Sequence, residues 1–168
     1  MSCQRQRLRV ATAICTIGLC SSPAQSGARP DVRPAVAFRV ATDVVDLTNV
    51  ERTRERRRPL RANARLMRAA QIQADQMARV RRLAHVLPNA AYPRTEDRLV
   101  AANYRWRTYG ENVALGQKNA AEVVESWMLS RGHRTNILNP DFTEMGAGYA
   151  IDGSGRPYYV QVFAGPFS

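Results

Sequence analysis

Three side chains able to hold a metal or move a proton stand far apart in this chain: His85, Glu111 and His133. They include both histidines of its 168 residues. Glu111 lies in Gly110-Glu111-Asn112, and His133 lies in the run SRGHRTNILNP. Brought together, two neutral imidazoles and a carboxylate suit a divalent cation such as Zn²⁺ and leave positions open for water. The spacing alone does not make a metal motif, because 48 residues separate the two histidines. A simpler arrangement of the same groups is a partly buried Glu111 paired with one histidine, keeping sheet and helices in register. Two catalytic readings also arise. Ser130 and His133 form an i, i+3 pair that could act as nucleophile and base, although Ser130 also stands where a helix needs an N-cap. Glu111 could serve as general base beside a metal.

The elements that must position these groups can be read from periodicity and caps. Residues 27–40, with Pro30 and Pro34, read as a linker or arm. Thr42 or Asp43 is expected to cap a first helix that Pro59 stops after Arg57. Asn63 caps a second helix, whose Leu66, Ala69, Ala70, Gln73, Ala74, Met77 and Val80 recur with a period near 3.6. It runs to about Leu83 and leaves His85 just beyond its end. Thr95 caps a short helix over Glu96–Asn103. Trp106 to Tyr109 is a strand or extended entry to the Gly-Glu-Asn tripeptide, where Asn112 turns its amide into the loop backbone. Asn119 and Glu122 form a capping box for a helix from Ala120 to Leu129. Ser130 caps a further turn around Gly132 to Leu138. A hairpin follows, with strands Glu144–Ile151 and Tyr158–Ala164 joined by Asp152-Gly153-Ser154-Gly155. Gly146 and Gly148 inside a strand call for something packed close against the backbone. Trp127 and Trp106 read as core or cleft wall. The class is α+β.

The N-terminus has the composition of a secretory signal peptide. Arg5, Arg7 and Arg9 are followed by an apolar stretch, Val10 to Cys20, too short to cross a bilayer, then by Ala24-Gln25-Ser26, which suits cleavage. Cleavage after Ser26 or Ala24 removes all three cysteines, Cys3, Cys15 and Cys20, so the remaining domain, 41–168, holds together without disulfides. No second apolar run is long enough to span a membrane. The net charge of +11 falls by three on cleavage and remains strongly basic. That favours acidic partners such as lipid head groups or an anionic envelope surface, and export argues against nucleic acid. Eight arginines between Arg52 and Arg68 concentrate this charge.

Taken in order, LTNVERTRERRRPLRANARLMRAAQIQADQMA, LAH, YGENVALG, VVESWMLSRGHRTNILNPDFTEMGAGYA and YYVQVF resemble the CAP superfamily (cysteine-rich secretory proteins, antigen 5, pathogenesis-related 1) in its small bacterial SCP-domain form. The resemblance covers about Asp46 to Phe163. It implies a three-layer α-β-α sandwich with a small, mainly antiparallel central sheet and a cleft. Typical members line that cleft with two histidines and two acids. Carried over, these are His85, Glu111 and His133, with Asn112 and Ser130 along the lining. The second acid normally stands three residues after the helix tryptophan, and here that position is Ser130. Glu125 does not replace it, lying roughly 140° around the helix. The family has no established common catalytic activity and some members bind sterols or other lipids. The resulting expectation is a secreted protein, extracellular or periplasmic. It binds a small apolar or anionic ligand or a surface partner, with Zn²⁺ as a candidate cation. A metal-dependent hydrolase acting on peptide or envelope material, and a polyanion-binding surface protein, are the alternatives.

Overall fold

The computed structural model describes residues 32–167. The leader, its cleavage point and the three cysteines lie outside the described residues. Among the described residues nine elements follow one another: α1 (Val32–Arg54), β1 (Arg61–Ala62), α2 (Ala64–Val80), α3 (Thr95–Ala101), β2 (Trp106–Leu115), α4 (Ala120–Leu129), α5 (Arg131–Leu138), β3 (Glu144–Ile151) and β4 (Pro157–Pro166). The strands form one sheet in the order β1-β3-β4-β2. β4 pairs antiparallel with both β3 and β2, and the two-residue β1 runs parallel to β3.

Side chains of a strand alternate between faces, and β4 shows this directly. Tyr158, Val160, Val162 and Ala164 belong to one buried cluster, with Leu66, Ala70 and Met77 of α2 and Leu99 of α3. Tyr159 and Phe163 belong to a second cluster, with Val44 and Val45 of α1, Val123 and Trp127 of α4 and Ile137 of α5. The sheet is therefore covered on both faces, which gives the expected three-layer α-β-α sandwich.

α2 lies almost on the backbone of β3, and the two strand glycines make this possible. A Cβ on Gly146 would stand 2.1 Å from the Met67 nitrogen, and one on Gly148 would stand 2.4 Å from the Ala70 carbonyl carbon. Asn63 caps α2 as expected, its side chain accepting from the Arg65 and Leu66 amides. The helix ends at Val80 rather than near Leu83, because Arg81 takes the left-handed conformation (φ 54°) and its amide turns back to the Ala78 carbonyl.

Three local expectations change. α1 begins at Val32, two residues before Pro34 and ten residues ahead of the expected cap, so most of the supposed arm is helical. A proline in the opening turn of a helix removes only an amide that has no intrahelical partner. The Gly-Glu-Asn tripeptide is the middle of the continuous strand β2, not a loop after it. Ser130 occupies the N-cap position of α5, but its hydroxyl makes no capping hydrogen bond.

Candidate functional site

β2 is an edge strand, and the two layers meet around it. Alternation sends Glu111 and Val113 toward the α2–α3 layer, and Asn112 and Ala114 toward the α1–α4–α5 layer. Each polar residue of the tripeptide thus holds a different layer.

On the first side, Glu111 is 8% exposed and both of its oxygens are engaged. Oε1 lies 3.0 Å from His85 Nδ1, and Oε2 accepts from Arg98 Nη2 at 2.6 Å. Arg98 is fully buried on α3. Besides Glu111, its guanidinium donates to the Tyr92 and Pro93 carbonyls and to the Thr95 hydroxyl, so it anchors the loop that carries His85. Its Nε has no partner among the described residues. Gln73 of α2 pins the same loop by donating to the Ala84 carbonyl at 2.6 Å. The His85 side chain itself is about half exposed, at 54%. Its hydrogen bond to Glu111 raises its pKa above the ordinary 6.5, against a smaller opposing effect of burial. Two residues back along β2, Tyr109 donates to Glu96 of α3, and burial pushes its hydroxyl up to about 12.

On the other side, Asn112 is fully buried. Its amide donates to the His133 carbonyl at 3.1 Å and to Gln161 at 2.9 Å, while its oxygen accepts from Asn136. Gln161 in turn donates to Thr48 of α1. This chain of amides fixes α5, and therefore His133, against β2. Asn112 thus supports the site from beneath instead of lining an open surface. His133 is part-buried, and its pKa falls below 6.5, first because of burial and then because of the charge on His85. The two imidazoles come one from each layer, on either side of the Glu111–Asn112 pair of β2. Ser130 is half-buried at the start of α5.

The structure joins His85 directly to Glu111, which is the paired-acid arrangement the spacing left open, and ties the His133 backbone to the neighbouring Asn112. It does not assemble a closed metal site. Among the described residues, no group of three or more His, Cys, Asp or Glu side chains is arranged to hold a metal ion. Glu111, the one carboxylate of the expected set, already faces a guanidinium. The donor set as folded does not match a metal centre with three protein ligands. Sequence reasoning missed Arg98. Its signal was position: Thr95, Arg98, Leu99 and Ala102 form the buried stripe of α3, and an arginine on such a stripe needs an acid to meet.

Among the described residues, no helix is long and apolar enough to cross a membrane. Comparison with known proteins agrees with the architecture. Bacillus subtilis YkwD is 39% identical over 122 residues, 73% of this chain and 46% of YkwD. The chain therefore spans about half the length of that curated relative, or less in the case of the membrane protein YlbC, at 33%. An extracellular SCP-domain protein of Bacillus anthracis superposes with a TM-score of 0.73 at 26% identity, over 81% of this chain and 43% of that one. An outer surface protein of Borrelia burgdorferi shares the fold at TM-score 0.68 and 17% identity, over 82% and 96% of the two chains. Residues 45–163 match the CAP family of cysteine-rich secretory proteins, and the chain belongs to that family.

Proposed function

We propose that this chain is an exported CAP domain that works by binding. It holds a small apolar or anionic ligand, or a surface partner, in the cleft beside β2 flanked by His85, Glu111 and His133. The observation that supports binding over catalysis is the engagement of Glu111, whose two oxygens face Arg98 and His85. A carboxylate whose oxygens are both held by protein groups is not free to take a proton from a substrate. The half-exposed imidazole of His85 remains the polar group that a ligand meets first. The leader-like N-terminus and the likeness to an extracellular SCP-domain protein support export.

Calorimetric titration with dodecanoate, a probe both apolar and anionic, tests this reading. Saturable binding is expected, weakened about tenfold in H85A and in H133A, as for loss of one charge-assisted contact. Absence of saturable heat, together with metal-dependent peptide turnover abolished by E111Q, would replace it with the hydrolase reading. A cation such as Zn²⁺ between the two imidazoles is a second reading, supported by their placement on either side of the Glu111–Asn112 pair. Such a site lacks a free carboxylate, so its affinity is modest. Zinc uptake unchanged in both histidine variants would remove it.

A further inference from the structure

The arginine run between Arg52 and Arg68 does not form one face. Arg52 is buried and donates to the carbonyls of Arg58 and Asn139. Arg54 pairs with Glu51, and Arg61 with Glu144. Arg57 instead lines a groove of about 690 Å³ together with Arg131 and Arg134 of α5. The apolar wall of this groove is Met128, Leu129 and Leu138. Leu129 is 83% exposed, the most exposed large apolar side chain among the described residues. Arg134 shares its charge with Glu55 at 2.9 Å, whereas Arg57 and Arg131 make no ion pair among the described residues.

We infer that this groove is a docking face for an anionic phospholipid bilayer, with Leu129 entering at headgroup depth and Arg57, Arg131 and Arg134 bound to lipid phosphates. Guanidinium forks match phosphate oxygens in pairs. An apolar tip ringed by arginines suits the boundary between acyl chains and head groups. A soluble anion would satisfy the arginines but leave Leu129 in water, and a bilayer covers both. The proposal does not depend on what the cleft beside β2 holds.

Co-sedimentation with phosphatidylcholine vesicles, with and without phosphatidylglycerol, tests it. Binding is expected only with the anionic lipid and weakens with added salt. Each unpaired arginine near an anionic surface is worth roughly fivefold in affinity, so R57Q/R131Q should lose about twenty-five-fold. L129S should also weaken binding. R65Q/R68Q removes the same charge from α2, on the opposite face of the sheet, and should bind like the parent. All five side chains are exposed, so the fold is retained. Equal loss in the R65Q/R68Q control would assign the attraction to overall charge and overturn the proposal. So would unchanged binding by L129S, equal binding to pure phosphatidylcholine, or displacement by inorganic phosphate.

Discussion

Arg98 and Glu111 form an ion pair that is out of water on both sides, with side-chain exposures of 0% and 4%. Desolvation offsets much of the attraction in such a pair, but removing one partner strands the other. R98M should therefore cost about 3–5 kcal/mol in urea unfolding, and adding E111L should restore part of the loss. A loss below 1 kcal/mol would mean that the two charges are not buried together. The histidines make opposite contributions with pH. His85 has a raised folded pKa, so its pairing stabilises below pH 6.5 and is lost as pH rises through the raised value. His133 has a lowered folded pKa, so it costs stability as pH falls through 6.5. Compared with the parent, H85A should be most destabilised on the acid side, while H133A should gain there, as read from urea midpoints across that range. His85 and His133 stand out in the sequence because imidazoles are scarce in this chain, and the fold pairs the first of them with Glu111. Arg98 was hidden among many arginines, and its one sequence signal was its place on the same stripe of α3 as Thr95 and Leu99.

At the scale of elements, close approach of α2 to β3 depends on two missing side chains. G146A and G148A would each drive a Cβ into helix backbone, and each should cost about 3 kcal/mol or more. G132A in α5 meets nothing within 4 Å and should be neutral or gain about 0.5–1 kcal/mol. Thermal or urea denaturation of the three variants checks both signs together, and G148A tolerated as well as G132A would contradict the packing. The two strand glycines were legible because a glycine inside an alternating strand has few other uses. α2 was legible through its Asn63 cap and its stripe of small residues, and the β3–β4 hairpin through its Asp-Gly-Ser-Gly turn. β1 was not, since two exposed residues become a strand only by pairing with Glu144 and Met145. The interior placement of Gly-Glu-Asn was not legible either. Glycine and asparagine usually mark turns, and here Gly110 serves close packing instead, with a Cβ position 3.0 Å from the Phe142 ring.

Across the whole molecule, each layer supplies one imidazole. His85 comes from the loop held by α2 and α3, and His133 comes from α5, tied through Asn112 and Gln161 to α1. The edge strand between them carries the acid. A family resemblance spread over five sequence blocks made this architecture legible, because blocks from both layers had to fit at once. The function was less legible: the missing second acid at Ser130 weakened the expected cation set, and only the fold showed that Glu111 is already paired. The most direct test is a pH titration of the two imidazoles by side-chain NMR, in the parent and in E111Q. His85 should titrate above 6.5 and His133 below it, with His85 falling in E111Q. His85 titrating at or below His133 in the parent, or failing to respond to loss of the carboxylate, would contradict the arrangement of His85, Glu111 and His133 on which the proposed function rests.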